Sequence, residues 1–172
     1  MDYKFNNFFE LISYKAKKRG KKVALFVDDE KITYAEILAE ADKLAAFVSD
    51  KGVKKGDKVA LFVRNSPEFI YTIFAASKLG AIVVPINTFL KEDELSYILE
   101  DSDSSVLMAS GIYDKVVNSS RASMLCRFIV WEGEKTAQGE QHYSFDEALK
   151  TELSVAHTDT ALEDTAVIIY TS

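Results

Sequence analysis

Apolar positions switch repeatedly between helical and extended spacing along this chain. Phe5, Phe8, Phe9, Ile12 and Ala16 share one helical face. A basic run follows: Lys15, Lys17, Lys18, Arg19, Lys21 and Lys22. Such a run suits a nuclear signal, a membrane-surface patch or a solvated helix end. The last is favoured, because cations complement the negative pole of a helix. Val23 to Val27 then reads as a strand, Asp28-Asp29-Glu30-Lys31 as a turn, and Ile32-Thr33 as its return. Thr33 and Glu36 form a capping-box pattern. The helix they open carries a stripe of Tyr34, Ile37, Leu38, Ala41, Leu44, Ala45 and Val48, with Gly52 as its stop.

Lys58 to Val63 is predicted as a buried strand, and Ser66-Pro67 as the next helix start. That helix presents Phe69, Ile70, Ile73, Phe74 and Ser77, and ends at Gly80. Ala81 to Ile86 is strand-like, with Pro85 at its frayed end. Glu92, Asp93 and Glu94 open a helix whose Leu95, Ile98 and Leu99 face inward. A strand over Ser105 to Ala109, a short helix over Ile112 to Ser119 and a strand over Phe128 to Trp131 follow. Residues 132–143 read as a surface loop, and Ser144 with Glu147 as a second capping box. After a polar stretch, Ala166 to Tyr170 is continuously apolar, as in a strand buried on both faces of a parallel sheet. Alternation of strands and helices predicts an α/β fold with a mainly parallel sheet covered by helices.

Composition narrows the function. The 172 residues fit one domain, and 48 % hydrophobic residues are enough for a core. A net charge of −6 argues against nucleic acid as a partner. Cys126, the single cysteine, has no disulfide partner in the chain and precedes an apolar run, so a buried inert thiol is expected. His142 and His157 stand alone in polar stretches, which leaves no Cys/His cluster for a structural metal. No apolar stretch approaches the roughly 20 residues that span a bilayer. Met1-Asp2-Tyr3-Lys4 lacks a basic-then-apolar signal pattern, and a cytoplasmic location is expected.

Periodicity goes no further, but three stretches do. They are Ile32 to Ile37 (Ile-Thr-Tyr-Ala-Glu-Ile), Gly52 to Ala60 with Asn65-Ser66-Pro67-Glu68-Phe69, and Lys78 to Asn87 with Tyr97 to Ser102. In this order and spacing they resemble the N-terminal region of the adenylate-forming superfamily. That superfamily holds acyl- and aryl-CoA synthetases, firefly luciferase and peptide-synthetase adenylation domains. The closing run, Asp164 to Ser172, is similar to the strand that leads into the family's phosphate loop, Gly-Thr-Thr-Gly-x-Pro-Lys-Gly.

The resemblance implies that residues 1–172 form part of an N-terminal adenylation domain of an acid–CoA ligase. A carboxylate attacks Mg·ATP to give an acyl-adenylate and pyrophosphate, and coenzyme A then displaces AMP. Glycine-rich phosphate loops work by close backbone approach, with hydroxyls and a lysine completing the cradle. Thr171 and Ser172 would begin that cradle as the cofactor-binding residues. No catalytic residue and no protein-held metal is expected within these 172 residues, and the segment alone is expected to bind no ATP, Mg2+ or coenzyme A and to be inactive. Tyr34, Gly80 and Pro85 match motif positions and are assigned structural roles, while Lys115 and Arg121 are candidates for coenzyme A phosphates. Val-Pro-Ile-Asn at 84–87 favours acyl-CoA ligases over peptide synthetases, with a fatty acid first and an aromatic acid second. A non-enzymatic α/β interaction module is the other reading, and self-association through exposed apolar surface is expected of the segment.

Overall fold

The computed structural model describes residues 5–134, 137 and 139–171. Helix α1 (Phe8–Arg19) starts where Asn7 Oδ1 accepts the Glu10 amide at 2.8 Å, and it buries Phe9 and Ile12. Its last turn carries Lys17, Lys18 and Arg19, all exposed. Strands β1 (Val23–Val27) and β2 (Glu30–Thr33) form an antiparallel hairpin across Asp28, which adopts φ 50°. Helix α2 (Tyr34–Asp50) opens on the expected capping box. Glu36 N donates to Thr33 Oγ1, and Thr33 N donates to Glu36 Oε2 at 2.7 Å.

The main sheet then forms from β3 (Lys58–Phe62), β4 (Ile82–Pro85), β5 (Ser104–Ser110), β6 (Phe128–Glu132) and β7 (His142–Ser144). Their order is β4-β3-β5-β6-β7, and every pairing is parallel. Helix α3 (Pro67–Leu79) joins β3 to β4, and α4 (Glu92–Asp101) joins β4 to β5. A 3-10 turn (Gly111–Tyr113), α5 (Asp114–Ser119) and α6 (Ala122–Leu125) lead to β6, and α7 (Phe145–Ala148) follows β7.

Strand periodicity sorts the core into two layers. Val59, Leu61, Val106, Met108, Phe128 and Val130 point to one face, with α1, α2, α3 and α7. Ala60, Phe62, Leu107, Ala109, Ile129 and Trp131 point to the other, under α4, α5 and α6. Both faces are covered, so the strands are apolar at nearly every position. Each fully buried Leu, Val or Phe is worth roughly 1.5–3 kcal/mol of transfer free energy.

Three expectations are corrected. On α3, Phe69, Ile70, Ile73 and Phe74 are only half-buried, while Tyr71, Ala75, Ala76 and Leu79 are buried with Ser77. The helix packs on α1, α2 and the sheet together, and its small residues allow that close approach. Within 132–143, His142 and Tyr143 belong to β7, which pairs with Ile129 and Val130 of β6. The run from Ala166 to Tyr170 does not form a full strand. It lies beside β4 through one parallel bridge, Val83 to Val167, with Val83 N donating to Ala166 O and Ile168 N donating to Val83 O. A strand buried on both faces needs cover on each side. Here Val167 and Ile168 are half-buried and Ile169 is 69 % exposed.

Candidate functional site

In open α/β sheets ligands bind beyond the carboxyl ends of the strands, where successive connections leave in opposite directions. Here that point follows β3, whose neighbours are β4 on one side and β5 on the other. The chain leaves β3 through Val63, Arg64 and Asn65. Ser66 stops the extended run because its Oγ accepts the Phe69 amide at 3.3 Å, and Pro67 has no amide to lose at the first helical position. Beyond β4, Ile86 N still donates to Leu61 O, and Asn87 then turns the chain. Its Oδ1 accepts the Phe89 amide at 3.0 Å and its carbonyl accepts the Leu90 amide.

These exits surround a cleft of about 940 Å³, lined by Arg64, Asn65, Phe69, Asn87, Phe89, Tyr113 and Glu132 among others. Among the described residues Arg64 is the one cation of its lining, which also holds the acids Asp28, Glu68 and Glu132. Phe89 is 92 % exposed at its edge. On the other side of Asn87 lies a second groove of about 660 Å³. Pro85, Leu90, Ile98, Tyr97 and Tyr170 give it an apolar floor and aromatic sides, and Asp93 and Glu94 line it as well. Such volumes suit small-molecule ligands.

Thr171 lines this second groove and is exposed. Ser172 lies outside the described residues. Tyr170, just before them, has its Oη 2.6 Å from Asp101 Oδ2, at the end of α4. Partial burial and the nearby Asp101 push its phenol up to about 12. The contact between Tyr170 and Asp101 joins residues 69 positions apart, and no spacing rule in the sequence points to it.

The remaining candidates fall elsewhere. Arg121 pairs with Glu100 at 2.5 Å, and neither residue lines either cleft. Lys115 is exposed on α5. Gly80 caps α3 with φ 65°, Pro85 ends β4, and Tyr34 begins α2 against the core. Cys126 is buried, its Sγ 3.5 Å from Ser104 O, and burial pushes its thiol up to about 12. His157 stacks on Phe9 with centroids 5.3 Å apart, and its Nε2 is 3.6 Å from Glu10. Among the described residues no group of three His, Cys, Asp or Glu side chains could hold a metal ion. None of the described helices is long and apolar enough to cross a membrane.

A model described as AMP-binding enzyme matches residues 12–172. The chain belongs to that family. It is 43 % identical over 94 residues to the long-chain-fatty-acid–CoA ligase FadD13 of Mycobacterium tuberculosis (strain ATCC 25618 / H37Rv), covering 55 % of this chain and 19 % of that protein. It is 32 % identical over 164 residues to the crotonobetaine/carnitine–CoA ligase of Salmonella enteritidis PT4 (strain P125109), covering 89 % of this chain and 31 % of that one. The solved structure of the anthranilate CoA ligase AuaEII in complex with anthranoyl-AMP superposes with a TM-score of 0.89 at 28 % identity. That match covers 100 % of this chain and 33 % of the other. The chain thus spans about a third or less of each of these relatives.

Proposed function

We propose that this chain is the N-terminal part of an AMP-forming acid–CoA ligase. A carboxylate oxygen attacks the α-phosphorus of ATP and pyrophosphate departs. The thiolate of coenzyme A then attacks the acyl carbon and AMP departs, leaving a thioester. Both steps develop negative charge, so they call for positioning and for hydrogen-bond donors aimed at phosphate oxygens. Thr171 supports this reading most directly. It is exposed beside the carboxyl end of β4, where backbone amides and hydroxyls can meet a phosphate group. Thr171 and Ser172 would supply the first donors of the phosphate loop. Magnesium would enter with ATP and screen its phosphate charge.

A fatty acid is the first choice of substrate, in keeping with the mycobacterial relative. An aromatic acid is the second, favoured by the likeness to AuaEII over the whole chain. The reading includes a cytoplasmic location, where ATP and coenzyme A are available. The other class, a non-enzymatic interaction module, is discriminated by the gene's next codons: a Gly-Thr-Thr-Gly continuation supports the ligase.

ATP–pyrophosphate exchange tests the proposal. The 172-residue polypeptide should remain at background with fatty and aromatic acids, and the ligase containing it should exchange with at least one. Exchange by the short polypeptide, or none by the longer one with any carboxylic acid, would overturn the reading. The short polypeptide should also self-associate, because Phe89, Tyr97 and Ile169 are 92, 61 and 69 % exposed. Sedimentation over a concentration series checks this, and a monomer throughout counts against it.

A further inference from the structure

Beyond Ile168 the terminal segment has little backbone support. Among the described residues its two main-chain hydrogen bonds to the sheet both involve Val83, and Ile169 projects into solvent. Tyr170 then turns its ring onto the second core layer and reaches Asp101 at 2.6 Å. Asp101 is unusual in its place. It is the last residue of α4, where the helix dipole disfavours an anion, and the last turn carries no basic residue. A phenolic donor offsets that cost with a charge-assisted hydrogen bond. The helix behind Asp101 is fixed, since Leu95, Ile98 and Leu99 are buried.

We propose that the Tyr170–Asp101 hydrogen bond is the contact that sets where the chain leaves the sheet at Thr171, and that Tyr170 and Asp101 are positioning residues for the phosphate loop. The second part rests on the reading of Thr171 given above. The logic is mechanical: a loop whose amides must meet phosphate oxygens at hydrogen-bond distance needs a fixed origin, and small displacements at such sites are costly. Among the described residues one backbone bridge, at Val83, ties the segment to the sheet, and a single bridge leaves a pivot. A side-chain contact two residues beyond Ile168, tied to a different element, removes that freedom.

The test has two arms. In the 172-residue chain, amide order parameters of Ile169 and Tyr170 are measured by nitrogen-15 relaxation in Tyr170→Phe, Asp101→Ala and Asp101→Asn. The first two variants should take both amides from about 0.85 to below about 0.6. Asp101→Asn keeps an acceptor and should stay near the parent. The amides of β3 should not change in any variant, which separates loosening from unfolding. Unchanged order parameters in Tyr170→Phe would overturn the proposal whatever the site binds. In the ligase containing this chain, Tyr170→Phe should raise the KM for ATP several-fold while leaving the KM for coenzyme A unchanged, with Asp101→Asn closer to the parent. A loosened segment with an unchanged KM for ATP overturns the positioning role and leaves the anchor itself standing. Loss of exchange activity with every carboxylic acid in the unmutated ligase would instead be a failure of the functional reading.

Discussion

Trp131 Nε1 lies 3.1 Å from His142 Nδ1, and the two rings are within 15° of parallel. Indole can only donate, so Nδ1 is the acceptor and carries no proton in this contact. Trp131 is fully buried and His142 is 8 % exposed, so the pair joins β6 to β7 where water does not reach freely.

Removing the acceptor should therefore leave an unsatisfied indole donor. His142→Leu is expected to destabilise the fold by about 1–3 kcal/mol. Paired with Trp131→Phe, the loss should be less than additive, because the orphaned donor is gone as well. Urea denaturation of the two single variants and the double variant measures the coupling. Strict additivity would mean that the bond contributes nothing.

Gly80 ends α3 in the left-handed region, at φ 65°. A Cβ there would meet Lys55 Cγ at 3.0 Å and Thr160 Cγ2 at 3.1 Å. Gly80→Ala should cost roughly 1 kcal/mol or more, the reverse of the usual gain from glycine replacement. Gly56→Ala is the comparison. It also has positive φ, at 85°, but a Cβ there meets nothing within 4 Å, so its loss should be smaller. Thermal melts of both variants decide the order.

Much of this fold was legible because its signals are local. The capping boxes at Thr33 and Ser144, the Ser66-Pro67 start and the Gly80 stop each act within one helical turn, and all four are in place. Where expectation failed, a distant partner decided. His142 reads as a loop residue because its strand has only three residues and exists through β6. On α3 the expected Phe69, Ile70, Ile73 and Phe74 pack on the core only half-buried, because two helices and the sheet close instead over Tyr71, Ala75, Ala76 and Leu79. Ala166 to Tyr170 has the composition of a central strand, but a strand's burial depends on what lies at both its edges. Motif order directs attention to Thr171, which lines the second groove, but no spacing rule links Tyr170 to Asp101, 69 positions away.

Cys126 offers a direct check on packing. Burial pushes its thiol up to about 12, so almost none is thiolate at neutral pH. Alkylation by iodoacetamide at pH 8 should be far slower in the folded chain than in urea. Equal rates would place the Sγ in solvent and contradict the packing of α6 on the sheet.

The last prediction concerns pH and the strap from Val155 to Asp164, which crosses the end of α3. Lys55 Nζ binds Asp164 at 2.7 Å and donates to Asp159 O at 3.1 Å. The Lys55 hydrogen bond, with help from the Ala161 amide, holds the Asp164 carboxyl below its ordinary 3.8. A carboxyl depressed on folding binds fewer protons in the folded state than in the unfolded one. Its contribution is therefore complete above about pH 4 and is lost as pH falls through the folded value. Both groups are well exposed, so the effect on global stability should be small and should weaken further with salt. The local effect is the sharper test. Between pH 5 and about pH 2, Ala161 and Thr158 amide shifts should move with the Asp164 titration, because Asp164 Oδ2 accepts the Ala161 amide at 2.9 Å. Lys55→Met should raise the Asp164 midpoint toward 3.8 and leave Thr158 N bonded to Lys78 O. A midpoint unmoved by Lys55→Met would show that the lysine does not hold the strap, and that the Ala161 amide alone depresses the carboxyl.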